Sequence, residues 1–116
     1  MRVCINKESI SDPLLEAIVV SLEDIKATNI VYLKVSQVTA MFDQIVIATV
    51  ESGRQSRAAV QKIQELIKPY GNMKIFGVEG LETGEWVLID MGDIVLHIMQ
   101  PKTREFYNLE ELWNIY

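Results

Sequence analysis

The sequence predicts a single α/β domain in which a mixed β-sheet of about five strands is flanked by helices. A length of 116 residues suits one hydrophobic core. Segments with apolar residues at helical spacing alternate with short runs that are rich in β-branched residues. A long helix between two of the predicted strands requires a crossover connection, which favours partly parallel pairing and hence a mixed sheet.

The first half of the chain predicts one helix and two strands. Ser11-Asp12-Pro13 supplies a capping residue and an early proline, and apolar residues follow at helical spacing as far as Ile25. Residues 30–35 (IVYLKV) are rich in β-branched and aromatic side chains, which is typical of a strand. Residues 44–50 (QIVIATV) form a nearly continuous apolar run, as in a strand buried on both faces.

The second half predicts a long helix, three strands and a short final helix. Ser52 and Gln55 have the spacing of a capping box and open the long helix. A short strand is expected around residues 73–76, a loop over 77–84, and a hairpin with strands at 85–90 and 93–99. Asn108 and Glu111 form a second capping-box pattern at the start of the last helix. The predicted order is therefore α-β-β-α-β-β-β-α.

Charge and composition limit the partners that we expect. The formal net charge of −5 disfavours direct nucleic-acid binding, because neutralised phosphates supply most non-specific affinity for nucleic acids. A basic protein partner would complement this charge, although mild acidity is also common for solubility alone. No apolar run reaches the roughly eighteen residues that a membrane helix needs. Cys4 is the only cysteine, so no internal disulfide or cysteine metal cluster is expected, and a cytoplasmic location fits best.

The predicted hairpin, in the stretch GEWVLIDMGDIVLHIMQ (84–100), has two unequal faces. A two-residue turn at Met91-Gly92 would place Asp90 opposite Asp93, and Trp86 opposite His97. Side chains alternate between the faces of a strand. The core face is purely aliphatic and carries Val87, Ile89, Ile94, Leu96 and Ile98. The second face has polar groups and a charged end and carries Trp86, Leu88, Asp90, Asp93, Val95, His97 and Met99.

The second face permits two interpretations. Directly opposed aspartates destabilise a strand pair, so Asp90 and Asp93 could be compensated by backbone N–H groups in the turn. Alternatively, the two carboxylates, an exposed Met91 and the apolar face could together contact a partner, because tryptophan and methionine are enriched at interface cores. An apolar face that a single helix layer leaves open usually marks a binding site.

Motifs of catalytic and phosphate-binding sites are absent from the sequence, which predicts no enzyme, no cofactor and no metal site. The chain has no GxGxxG after a strand, no GxxxxGK[ST] and no GxSxG. His97, the sole histidine, is expected to be a hydrogen-bonded packing residue. The segment Ser52-Gly53-Arg54 could bind an anion at a helix start, but capping explains Ser52 without a ligand. Arg104 is expected to anchor the C-terminal segment by an ion pair to the acidic turn.

Five stretches of the chain resemble the ribosomal silencing factor family, also called Iojap-like. They are FDQIVIAT (42–49), SGRQ (52–55), GVEG (77–80), WVLIDMGDIVLHIM (86–99) and REFYNLEELW (104–113). The resemblance covers residues 12–113, which predicts one domain over 1–116 with this segment as its core. Two departures are Val50, where the family often has glycine, and Glu51-Ser52-Gly53 in place of a small polar run.

The resemblance implies a nucleotidyltransferase-like fold without catalysis. It implies a translation repressor that binds the large ribosomal subunit through ribosomal protein L-fourteen. There it would sterically block the small subunit and lower translation when nutrients run short. The implied binding residues are Trp86, Asp90, Met91, Asp93, His97 and Met99, with Glu79, Leu88 and Arg104 as further candidates. A homodimer is a candidate state of the free protein.

Two other functions are kept as alternatives. Organelle members of the family assist biogenesis of the large subunit, so a biogenesis factor is one of them. The fold also suggests a nucleotide-binding transferase, but such enzymes need clustered carboxylates that hold a divalent metal. Asp90 and Asp93 are not accompanied by an Asp-x-Asp pair on a strand. Binding of magnesium-nucleotide would favour the enzyme, and salt-sensitive binding to large subunits would favour the repressor.

Overall fold

A six-stranded mixed sheet organises the molecule in the computed structural model, which describes residues 2–4, 12–36, 39–69 and 74–112. The strands are β1 (Arg2–Cys4), β2 (Thr28–Lys34), β3 (Gln44–Thr49), β4 (Gly77–Glu79), β5 (Trp86–Asp90) and β6 (Ile94–Met99). The helices are α1 (Pro13–Asp24), α2 (Gly53–Ile67), α3 (Pro101–Tyr107) and α4 (Leu109–Leu112). The predicted class, a mixed sheet flanked by helices, is confirmed, with β1 added to the expected five strands.

The strand order is β1-β2-β3-β6-β5-β4. The pair β3 and β6 is parallel, and the other neighbouring pairs are antiparallel. The chain leaves β3, passes through α2, and returns to the parallel position only after adding β4 and β5 on the far side. The predicted crossover is therefore confirmed. The strand that pairs in parallel with β3 is β6, and not the first strand after the helix.

Helices α1 and α2 cover one face of the sheet. Asp12 caps α1, because its Oδ1 accepts a hydrogen bond from the backbone N–H of Leu14 (3.0 Å), and Pro13 follows at the first helical position. The two helices pack their apolar sides on the aliphatic face predicted for the hairpin. The residues of this main core that are fully buried include Ile18, Leu22, Ala59, Ile63, Val87, Ile89, Leu96 and Ile98.

The opposite face of the sheet is covered only in part. A smaller core there is built by β2, β3 and the end of β6, and α4 closes it with Leu109. Its buried members are Val31, Leu33, Val35, Ile45, Ile47, Met99 and Leu109, and Phe42 and Trp86 pack at its margin. The C-terminal helices therefore protect the middle of this face and leave its β5 side accessible.

One local prediction is wrong, and two elements were not predicted. The short strand lies at Gly77–Glu79, inside the predicted loop, because pairing of Val78 with Ile89 turns Val78 toward the main core. Residue 73, the start of the predicted strand, lies outside the described residues. Strand β1 and helix α3 were not predicted; Pro101 at the first turn of α3 was the available signal.

Asn108 lies directly before α4, where the capping box was predicted, but it also ends α3 and its side chain bonds the Glu111 carboxylate. It has a left-handed backbone (φ 47°) and ends α3, and its N–H donates to the carbonyl oxygen of Arg104 (2.9 Å). Its side-chain Nδ2 donates to Glu111 Oε2 (2.7 Å). The residue is thus a corner between α3 and α4.

Candidate binding surface

The hairpin turn is formed by Gly92-Asp93 and not by Met91-Gly92. The N–H of Met91 donates to the carbonyl oxygen of Ile94 (2.9 Å), and Asp90 pairs with Val95. The first residue of a tight hairpin turn needs a positive φ, and Gly92 adopts φ +86° at no steric cost. The predicted register is therefore wrong by two residues, but a shift of two leaves every side chain on its predicted face.

The two aspartates consequently do not oppose each other. Asp90 Oδ1 accepts a hydrogen bond from the N–H of Gly92 (2.9 Å), which confirms the interpretation that the turn backbone compensates this carboxylate. Asp93 is exposed within the turn, and its backbone carbonyl accepts from the N–H groups of Asp43 (2.9 Å) and Gln44 (3.0 Å). The turn is thus tied to β3, and the Asp93 residue lies on the surface.

Met91 and Met99 are interior residues. Met91 is only 5% exposed and belongs to the main core, so the expectation of an exposed Met91 is wrong. The alternation of β5 continues one residue further than expected, and Met91 therefore follows Val87 and Ile89 onto the core face. Met99 is fully buried in the smaller core and lies beside Trp86 in the sheet.

Trp86 is held in place by His97. The indole Nε1–H donates to His97 Nδ1 (3.0 Å), and the two ring centroids are 5.9 Å apart. Burial lowers the pKa of His97 to about 4, so the imidazole is neutral at pH 7 and carries its proton on Nε2. The prediction of a hydrogen-bonded packing residue is confirmed. Among the described residues there is no group of three His, Cys, Asp or Glu side chains that could hold a metal ion.

Two aromatic residues of α3 extend the surface around Trp86. The Tyr107 ring centroid is 4.7 Å from that of Trp86, and Phe106 meets Tyr107 edge to face at 5.0 Å. Phe106 is 80% exposed and Tyr107 52% exposed. Leu88 is half-buried on the same face of β5. We call Trp86, Leu88, Phe106 and Tyr107 the aromatic surface.

Acidic residues border the aromatic surface on the β4 side and at the turn. Glu79 pairs with Leu88, and Leu88 pairs with His97, so the three side chains form one row across the sheet. Glu79 is exposed, and Asp90 is half-buried at the end of the same strand as Trp86. The surface therefore combines exposed aromatic rings with an acidic margin.

Sequence reasoning missed Phe106 and Tyr107 as members of this surface. The available signal was the adjacent aromatic pair two and three residues after Arg104, which was used only to explain how the C-terminal segment is anchored. Their contact with Trp86 depends on the path of α3, which was not predicted. Arg104 itself is buried, with 7% of its surface exposed.

Arg104 anchors the C-terminal helices, but through a different partner from the predicted one. Its guanidinium contacts Glu110 through two hydrogen bonds of 3.2 Å, from Nε to Oε1 and from Nη2 to Oε2. Nη1 donates to the carbonyl oxygen of Asn29 (2.6 Å) and to Thr49 Oγ1 (2.7 Å). The expected ion pair with the acidic turn is wrong, because Glu110 lies closer in the chain and shares the buried site.

The start of α2 is explained by its own capping. The N–H of Gln55 donates to Ser52 Oγ (3.2 Å), and Gln55 Oε1 accepts from the N–H of Glu51 (2.7 Å). The predicted capping box is confirmed, with the return bond one residue earlier than in the usual pattern. Ser52 is thereby occupied without an anion.

A cavity of about 450 Å³ opens beside the hairpin turn. Its wall includes Asp12, Asp43 and Asp93 together with Lys74 and Phe76. The Lys74 ammonium lies 4.9 Å from the centroid of the Phe76 ring, which is a cation–π distance. Charges of both signs therefore line this cavity, unlike the aromatic surface at the other end of β5.

The fold and the surface together define a class of protein: a small α/β domain with a preformed, exposed aromatic surface. Residues 7–115 match the family model described as ribosomal silencing factor during starvation, and the chain belongs to this family. Within the described ranges no helix is both long enough and apolar enough to cross a membrane.

Similar proteins agree with this assignment. Ribosomal silencing factor RsfS of Chromobacterium violaceum is 44% identical over 93 residues, which cover 80% of this chain and 75% of that protein. A crystal structure of a Chromobacterium violaceum protein has a TM-score of 0.82 at 40% identity, covering 89% of this chain and 85% of that one. A mouse relative, mitochondrial assembly of ribosomal large subunit protein 1, is 35% identical over 69 residues, covering 55% of this chain and 30% of that protein.

Proposed function

We propose that this protein represses translation by binding the large ribosomal subunit through ribosomal protein L-fourteen and blocking attachment of the small subunit. Membership of the ribosomal silencing factor family supports a ribosome-associated regulatory role. The single observation that carries the proposal is the aromatic surface, in which Trp86 stands between His97 and Tyr107 with its ring partly exposed. Occupation of a surface needs no chemical step, so the proposed mechanism is occlusion without catalysis or a cofactor.

The aromatic surface has the properties of a binding anchor. Tryptophan and tyrosine are enriched among the interface residues whose truncation costs most affinity. The hydrogen bond from Trp86 to His97 and the tilted ring contact with Tyr107 fix the indole before a partner arrives. A side chain that is already ordered loses less rotamer entropy on binding, and the affinity rises accordingly.

The acidic margin suits a basic ribosomal protein. Glu79 is exposed beside the aromatic surface, Asp93 is exposed at the turn end of β5, and the chain carries a formal net charge of −5. Complementary charges mainly accelerate association and exclude partners of like charge. We assign direct contact to the four residues of the aromatic surface together with Glu79 and Asp93, and a supporting role to Asp90 and His97.

Burial changes the role of the two methionines that were predicted to bind the partner. Met91 and Met99 lie in the two cores, so we propose that they support the surface from beneath. We also propose a cytoplasmic location, where the ribosomal partner would be met. In the absence of that partner, a second copy of the chain could cover the aromatic surface, which analytical ultracentrifugation of the free protein would reveal as a dimer.

Sedimentation of the purified protein with separated ribosomal subunits tests the proposal. We expect recovery with the large subunit, loss of recovery in Trp86→Glu, and inhibition of subunit joining by the wild-type protein. The Glu65→Lys variant, altered at an exposed position on α2, is a control that should bind normally. No binding to large subunits by the wild-type protein would refute the proposal, and binding of magnesium-nucleotide would then support the transferase alternative.

A role in assembly of the large subunit is the second candidate. The mouse relative is named for mitochondrial assembly of the ribosomal large subunit. Both functions would use one binding surface, so a surface variant cannot separate them. Accumulation of large-subunit precursors in cells that lack the protein would indicate assembly, whereas normal subunits with faster subunit joining would indicate repression.

A further inference from the structure

Arg104 lies at the meeting point of four parts of the molecule. It belongs to α3, and its guanidinium reaches the carbonyl oxygen of Asn29 in β2, the hydroxyl of Thr49 at the end of β3, and the carboxylate of Glu110 in α4. Its own backbone carbonyl accepts the N–H of Asn108, the corner residue. One side chain therefore ties the two C-terminal helices to the sheet.

The same helix carries the aromatic rings of the binding surface. Arg104 and Tyr107 are three residues apart and hence lie on neighbouring positions of one helix face. In the sheet, Trp86 pairs with Met99, and Met99 pairs with Thr49, so these three residues form one row on the same face. Helix α3 is attached to this row twice, through Arg104 on Thr49 and through Tyr107 on Trp86.

The geometry points to Arg104 as a positioning residue for the aromatic surface, and this inference rests on the proposed function of that surface. Because Arg104 is buried, its guanidinium cannot itself contact a partner. Its fork fixes α3 and α4 against the sheet and thereby sets where Tyr107 and Phe106 stand beside Trp86. Arg104 thus controls partner binding through the position of the aromatic rings.

The inference can be tested with Arg104→Lys and, as a milder change, Thr49→Val. A lysine ammonium cannot reproduce the bidentate contact with Glu110 while also reaching two further acceptors. Thr49→Val replaces the threonine by a side chain of similar shape that lacks the hydroxyl acceptor, and it leaves the Arg104–Glu110 pair intact. Lys102→Gln is the matched control, because it removes one positive charge from an exposed position of the same helix. Circular dichroism establishes that each variant is folded.

Two measurements separate positioning from a general structural role. Acrylamide quenching of Trp86 fluorescence, in a Trp113→Phe background that leaves one indole, reports how well Tyr107 shields it in the free protein. We expect quenching in Arg104→Lys to rise toward the level of Tyr107→Ala, and Lys102→Gln to match the parent. Affinity for large subunits should fall about tenfold in Arg104→Lys.

A double-mutant cycle completes the test. If Arg104 acts through Tyr107, then Arg104→Lys in a Tyr107→Ala background should weaken binding by less than about twofold. A full additional loss in that background, or unchanged quenching in folded Arg104→Lys and Thr49→Val, would overturn the inference. Absence of binding by the wild-type protein would instead overturn the proposed function, while the quenching comparison would still decide whether Arg104 positions Tyr107.

Discussion

The two ends of β5 differ in how their polar and aromatic side chains are bonded. At the turn end, Asp90 is bonded to the backbone of Gly92, and Met91 is buried in the core. At the other end, Trp86 uses its one donor on His97 and still presents part of its ring to solvent. The turn end is largely a structural element, and the Trp86 end is a prepared surface.

The kind of group that ties each end to distant parts of the chain also differs. The turn end is held by backbone groups, since the Asp93 carbonyl oxygen accepts the N–H groups of Asp43 and Gln44 and the Asp90 carbonyl oxygen accepts the N–H of Phe76. The Trp86 end depends on α3. Arg104 holds this helix by hydrogen bonds to Thr49, 55 positions earlier in the chain, and to Asn29, 75 positions earlier. The exposed rings of the Trp86 end therefore depend on side-chain hydrogen bonds between distant parts of the chain.

The largest expected effect comes from removing the support of the Trp86 end. Glu110→Ala leaves the Arg104 charge buried without its carboxylate partner, and we expect a loss of about 3 kcal/mol in the free energy of unfolding. Urea denaturation followed by circular dichroism measures the change. Glu105→Ala, an exposed glutamate on α3, should cost less than about 0.5 kcal/mol. Equal losses in the two variants would show that Arg104 does not depend on Glu110.

Truncation of the exposed ring should mainly affect binding. Trp86→Ala is expected to reduce affinity for large subunits by more than about 2 kcal/mol, because a central tryptophan anchor is lost. Quantitative sedimentation at several subunit concentrations gives the change. Met41→Ala, at a residue that is 82% exposed but outside the aromatic surface, is the control and should bind as the wild type does. Unchanged affinity of a folded Trp86→Ala would remove Trp86 from the site.

The pH dependence of stability should follow the burial of His97. Its pKa is lowered from 6.5 to about 4 in the folded protein, so the unfolded chain binds the proton more readily. The stabilisation is therefore complete above pH 6.5 and is lost as the pH falls toward 4. Between pH 7 and pH 5.5 the loss should be about 1 kcal/mol.

His97→Gln tests that dependence directly. Carboxylates titrate in the same range, so the informative quantity is the difference in denaturation free energy between the wild type and the variant at each pH. We expect this difference to shrink as the pH is lowered from 7 to 5. A constant difference would mean that His97 keeps an ordinary pKa and that its ring is more accessible than the structure shows.

Much of the difference between the two ends of β5 could be predicted from the sequence, because it depends on local sequence patterns. Alternation along β5 and β6 assigned the two faces correctly even though the register was wrong, because a slip of two residues preserves side-chain parity. The capping residues Asp12 and Ser52 marked the starts of α1 and α2. Met91 was wrongly predicted to be exposed because the turn was placed one residue too early. The positive φ of Gly92 determines where the turn lies.

The remaining parts of the surface could not be anticipated because they depend on tertiary contacts. Phe106 and Tyr107 meet Trp86 only once α3 has been placed over the sheet. That placement rests on Arg104, whose partners Asn29 and Thr49 share no sequence pattern with it. Local periodicity can therefore identify the strand that carries the anchor, whereas long-range polar contacts determine which other rings join it.

The smallest expected effect concerns the turn end of β5. Asp93→Lys should slow association with large subunits about two- to fivefold at low salt, because an exposed acidic residue steers a basic partner. The effect should fade as ionic strength rises through the physiological range, since exposed charges are screened. Stopped-flow association rates at several salt concentrations measure it, and Glu65→Lys supplies the same charge change on the other side of the sheet. An effect that persists at high salt would mean that the turn end makes a packed contact and that both ends of β5 belong to the interface core.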